Sequence, residues 1–360
     1  MSGVGRREFL TSAAVAVGGL TAARAAWGSQ AVDVDALFER GLVIDALSND
    51  SQWTEEVFAA FRRAGLSAIL VSLSNRNLRA ATADLERWQA RLDQHPDRLI
   101  KALRGGDLVE AKRQGRIAVI LGFQNATMIE SDIANLDALH ARGTRCIQLT
   151  YNARNLVGDG CTERTNAGLS DFGVEAVHRM NELGIVVDLS HCGEQTTRDA
   201  IELSTRPPAF THTMCQAIYD HVRAKSDELL KRLADKGGVV GIVMLGYFIG
   251  PDADTTFDDY LGHVEHAVNV AGIDHVGLAS DYSIRGIEAT ATRENWYVPR
   301  LTSFKPSYRV RWPPWIAELD PPERYRHVAH GLAKRGYRAA DIEKILGGNW
   351  ARYFGEIMGT

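Results

Sequence analysis

The chain has 360 residues, 45 % of them hydrophobic and 24 % charged, ordinary values for a folded globular protein and enough for one large domain. Forty-one basic residues stand against 45 acidic ones, a net charge of −4 with no long basic run, which argues against nucleic acid as a partner. Four cysteines at 146, 161, 192 and 215 contain no CxxC, so neither a disulfide framework nor a thiolate zinc site of the usual spacing is expected.

The first residues read as an address. Arg6 and Arg7 open RREFL, an alanine-rich apolar stretch follows to about Ala23, and Ala23-Arg24-Ala25 is a small-x-small cleavage pattern. Paired arginines before a modest apolar segment are the signature of twin-arginine export, so residues 1–25 are expected to direct the protein to the periplasm or otherwise out of the cell. The stretch is too short and too interrupted for a membrane span.

From residue 42 a short β-branched run, a polar stretch and a helical pattern alternate. The strand candidates are 42–46, 67–73, 116–122, 145–151, 185–190, 208–213, 237–245 and 274–280. Near-continuous apolar runs suit strands covered on both faces. Eight such units predict an α/β fold, a (β/α)8 TIM barrel occupying 26–360 as a single domain. An open doubly wound sheet is the alternative, weakened because no GxGxxG follows the first strand. Segment 282–320 lacks apolar periodicity and carries Trp296, Trp312 and Trp315 with several prolines. It is expected to be a long loop or lid on the active face, and C-terminal helices follow it.

Barrel chemistry gathers where strands end. Those positions hold Asp45, Ser48, Asn49, Asp50, Gln124, Asn125, Tyr151, Asn152, His191, His212 and Asp281, with Arg223 in the loop after His212. Two histidines at neighbouring strand ends can share one divalent metal through neutral ring nitrogens. Asp188, two residues before His191, is either an orienter or a buried polar residue. Asp281 can accept a proton, bind metal or cap a loop.

GLSDFGVEAVHRMNELGIVVDLSHCG (168–193), FTHT (210–213), GIDHVGLASDY (272–282) and GGNWARYF (347–354) together resemble the membrane dipeptidase (renal dipeptidase) family of zinc hydrolases. The resemblance implies a (β/α)8 barrel, commonly a homodimer, that binds two zinc ions bridged by a glutamate and cleaves dipeptides. It implies that His191 and His212 match two zinc ligands. Arg223 in HVRAKSD matches the substrate-carboxylate arginine, and Asp281 matches the late catalytic aspartate, although the usual SDFDG is here SDYSIRG.

The remaining family positions depart. The opening His-x-Asp zinc pair becomes Leu47 and Asn49, or with one inserted residue Ser48 and Asp50. The bridging glutamate becomes Gln124 in GFQNA, and the catalytic histidine becomes Tyr151 in TYN. Two close zinc ions repel unless a bridging anion offsets the repulsion, and an amide offers no charge. The expected site therefore holds one zinc ion at most, on His191 and His212 with Asp50 as a candidate third ligand, and a metal-free site is the alternative. Asp281 and Tyr151 are the expected catalytic groups. Arg223, Asn152 and Gln124 are the expected substrate contacts. The expected function is hydrolysis of a dipeptide or peptide-derived amide with a free carboxylate. A metal-free tailoring enzyme and a non-catalytic ligand-binding protein are the alternatives.

Overall fold

A computed structural model describes residues 32–50 and 52–359. The export signal expected in 1–25 lies outside them. Residues 34–360 make one unit, and no helix among the described residues is long and apolar enough to cross a membrane.

Among the described residues nine parallel strands alternate with helices: β1 (Ile44–Ser48), β2 (Ala68–Ser72), β3 (Leu99–Lys101), β4 (Ile117–Phe123), β5 (Thr144–Gln148), β6 (Val186–Asp188), β7 (Phe210–Thr213), β8 (Val240–Val243) and β9 (Val276–Ala279). Each of the eight apolar runs holds one strand. The extra strand, β3, is a three-residue run paired only with β4, too short to carry a periodic signal. Local punctuation agrees with the elements. Ser170 accepts from the Gly173 amide and starts helix Asp171–Leu183, and Gly184, left-handed at φ 71°, ends it before β6.

The closed eight-stranded barrel expected from the sequence is not what the ladders form. They make two separate sheets: an open, six-stranded half-barrel in the order β1-β2-β4-β5-β6 with β3 on β4, and a three-stranded sheet β7-β8-β9. Between them stand only single bridges, Asp188–Ala209 at one seam and Ser48–Tyr282 at the other. Buried carboxylates account for the interruption. Asp188 accepts from the amides of Ser190 and Thr211, both at 3.1 Å. Asp45 accepts from the amides of Ser280 at 2.8 Å and Leu47 at 3.1 Å. Backbone donors satisfied by side chains are lost to a ladder.

Packing joins what the ladders leave apart. Ile44, Ala118 and Val186 of the larger sheet share a core with Ala279 of the smaller, and with Trp350, Phe354 and Ile357 of the C-terminal helix Asn349–Met358. Trp350 fits because β8 and β9 present glycine to it: a Cβ on Gly277 would stand 2.2 Å from its Nε1. Burying each such aromatic stabilises by about 2–3 kcal/mol.

Candidate active site

The C-terminal ends of β1, β2, β4, β5 and β9 converge on a cavity of about 360 Å³. Its wall holds Asn49, Ser72, Gln124, Tyr151 and Asp281 from the strand ends, Leu245 and Tyr247 after β8, and Trp296, Arg300, Phe304 and Tyr308 from segment 282–320. The tryptophan-rich segment thus supplies four of the lining side chains.

Asp281 is held in an uncommon backbone conformation, φ 64°, by two clamps, one from β1 and one from the residue after it. Its amide donates to Leu47 O at 2.9 Å, and Asn49 Nδ2 donates to its carbonyl at 2.8 Å. Non-glycine residues in this region persist only where the surroundings enforce it, commonly at functional sites. Burial raises the Asp281 carboxyl to about 6, against the opposing pull of Arg223 and Arg300. Tyr151 is pushed up to about 12, chiefly by burial. At neutral pH the cavity therefore pairs a carboxylate near its titration point with a phenol that keeps its proton.

His191 and His212 do come together, with Nε2 to Nε2 at 2.9 Å. Each Nδ1 is pinned. That of His191 meets Asn152 Oδ1 at 2.7 Å. That of His212 meets Thr211 Oγ1 at 2.8 Å, whose own proton goes to Asp188 Oδ2 at 2.8 Å. Both Nδ1 atoms are thereby donors, and in the neutral rings both Nε2 atoms carry bare lone pairs. Burial first, then the charges of Arg223 and Lys225, hold both rings far below the usual histidine range. Two facing lone pairs repel, and a shared proton or a metal ion relieves that contact.

The donor set fits one metal in part and two not at all. Among the described residues no three His, Cys, Asp or Glu side chains gather as a metal cluster. Asp50, the candidate third ligand, is taken up elsewhere. It accepts from Ser48 Oγ, Ser283 Oγ and the Ile284 amide, each at 2.8 Å, and so ties β1 to the segment after β9. Gln124 lines the cavity as a neutral amide. The histidine pair itself lies behind it: the Tyr151 ring stacks on His191 with centroids 4.2 Å apart, and neither histidine lines the wall.

Two expected substrate contacts sit deeper than their sequence positions imply. Asn152 is buried, at φ 61°, and orients His191. Arg223 is 1 % exposed, and its guanidinium donates to Tyr308 Oη at 3.2 Å, to His212 O at 3.0 Å and to Ser190 O. Sequence reasoning passed over two groups. Lys225, buried two residues after Arg223, donates to Cys192 O at 2.8 Å and is lowered to about 8 by burial. Arg300 and its aromatic neighbours were visible only as an unusual texture in 282–320.

Known proteins give this geometry a context. The chain is 26 % identical over 289 residues to dipeptidase tcpJ of Claviceps purpurea, covering 79 % of this chain and 62 % of that protein. It is 30 % identical over 227 residues to dipeptidase verJ of Clonostachys rogersoniana, covering 62 % and 57 %. The chain thus spans less than two thirds of the length of these relatives. An amidohydrolase structure from Pseudomonas aeruginosa superposes with a TM-score of 0.79 at 29 % identity, covering 91 % of this chain and 99 % of that one. The profile of the membrane dipeptidase family (peptidase family M19) matches residues 49–302, the span that contains β2 to β9, the histidine pair, Asp281 and Arg300. The chain belongs to the membrane dipeptidase family.

Proposed function

We propose that the protein is an exported hydrolase of a small peptide-like amide with a free carboxylate, working with one metal at most. The observation that carries this reading is Asp281, a carboxyl raised to about 6 that shares an aromatic cavity with a protonated Tyr151. A base is most effective when its pKa lies near the working pH. Asp281 takes the proton of a water as that water's oxygen attacks the amide carbonyl. The Tyr151 hydroxyl donates a hydrogen bond to the oxygen on which negative charge gathers. The carbon–nitrogen bond then breaks, and Asp281 returns the proton to the leaving amine. Gln124 is a neutral donor and acceptor for orienting the substrate. A divalent metal on His191 and His212 would supply Lewis acidity toward water or carbonyl.

A second reading, hydrolysis or tailoring without metal, is favoured by one observation. The Tyr151 ring covers His191, so the histidine pair does not line the cavity.

The test is metal content measured beside a screen of dipeptides and N-acyl amino acids, including D-residue and dehydro forms. Turnover that follows bound metal, and falls with a chelator, supports the one-metal reading. Turnover indifferent to chelator supports the second. Ligand binding without product anywhere in the screen overturns both.

A further inference from the structure

We propose that Arg300, on the segment after β9, anchors the carboxylate of the ligand in this cavity. The inference rests on the reading of the cavity as the substrate site. Two adjoining cavities, of about 360 and 410 Å³, share Asn49, Asp281, Trp296 and Arg300 in their walls. Among the described residues Arg300 is the only cation lining the first. In the second the other arginine, Arg285, is already engaged with Glu56 at 2.9 Å.

The Arg300 guanidinium is ordered yet has capacity to spare. It lies over the Trp296 ring, 3.9 Å from the centroid, and one N–H donates to Trp296 O at 2.7 Å. An arginine has five such donors, and a stacked, planar fork loses little freedom when it grips a carboxylate. Among the described residues Arg300 has no carboxylate in an ion pair, whereas arginines such as Arg40, Arg154 and Arg335 do. Arg223 differs on each count: it is fully buried, and its fork is engaged by two backbone carbonyls and the Tyr308 hydroxyl.

The same wall defines the ligand class. Among the described residues Asp281 is the only acid lining the smaller cavity, and Trp296, Phe304, Tyr308, Tyr247 and Tyr151 give it an aromatic surface. Phe304 and Tyr308 touch at 4.5 Å between centroids, and Trp296 and Tyr247 at 6.0 Å. A carboxylate at Arg300 with an apolar side chain against the rings leaves the acyl–nitrogen bond toward Asp281. The ligand is an N-acylated or peptidyl amino acid with an apolar side chain.

Calorimetric binding to the full chain tests this without needing turnover. The probes are the N-acetyl derivatives of phenylalanine, leucine and alanine, each in L and D form, and the corresponding amides. Wild type is expected to bind at least one acid about 10-fold or more tighter than its amide, the scale of a charge-assisted pair. R300M should bind acid and amide alike, and R300K should recover part of the preference. R300Q serves the same comparison should R300M not fold. A preference that survives in R300M or R300Q overturns the proposal, and so does a wild type that binds none of the acids or does not distinguish acid from amide. Arg300-dependent binding in a protein that cleaves nothing would instead overturn the hydrolase reading and leave the anchor standing.

Discussion

Asp281 occupies a backbone conformation that few non-glycine residues adopt and carries a carboxyl raised to about 6. Both features disfavour the folded state and both serve chemistry. Because the folded pKa lies above the unfolded value, the folded protein holds the extra proton between about pH 4 and 6. Stability falls as pH rises through that window and stays reduced above it. Asn at this position carries no such cost. Asp281→Asn is therefore expected to gain stability relative to wild type between pH 4 and 7, by on the order of 1–3 kcal/mol, discounted because the side chain is half-buried. Urea denaturation at the two pH values checks this. In the same variant hydrolysis should fall by about 100-fold or more, and the limb of kcat/KM that rises through pH 6 should disappear. A variant that keeps this limb would remove Asp281 from the role of base. The identity and placement of Asp281 were readable from the sequence, since it follows an apolar run at a strand end. Its raised pKa was not, because that depends on Tyr247, Trp296 and Phe304 closing the cavity from distant parts of the chain.

At the scale of elements, the seams between sheets are the informative feature. Periodicity located all eight apolar strands, yet strand count alone does not decide closure. Asp188 and Asp45 look alike in sequence, each an acid inside an apolar run, and each takes amides that a continuous ladder would have used. Burial raises both carboxyls despite these hydrogen bonds. Asp188→Ala would leave two backbone amides without their acceptor and take away the carboxylate to which the hydroxyls of Ser190 and Thr211 both donate. The expected cost is about 2–4 kcal/mol, read as a lower urea midpoint with unchanged slope. Asp188→Asn, which keeps an acceptor, should lose less. Equal losses in the two variants would mean that charge, not hydrogen-bond satisfaction, holds the seam.

Over the whole molecule, the positions where the family resemblance implies metal ligands lie at the ends of β1 and β4, far apart in the chain. The Asp50 carboxylate is held by Ser48, Ser283 and the Ile284 amide. Gln124→Glu alone should therefore leave metal content unchanged. Gln124→Glu with Ser48→His removes one of the donors to Asp50 and introduces an imidazole, and is expected to raise zinc content by about one equivalent by elemental analysis. An equal rise in the single variant would show that Asp50 is more available than its three hydrogen bonds imply.

The sequence by itself determined the family, the alternation of strands and helices, the histidine pair and Asp281, because each is written in a short run of neighbouring residues. The tertiary structure decided the rest: two sheets in place of one closed barrel, Asn152 behind His191, Arg223 buried and Arg300 facing the cavity. Those outcomes are competitions for hydrogen-bond and charge partners between residues far apart in the chain, as between Arg223 and Tyr308 or Asp50 and Ile284. Local spacing fixes where a side chain begins, and only packing fixes which partner it finds.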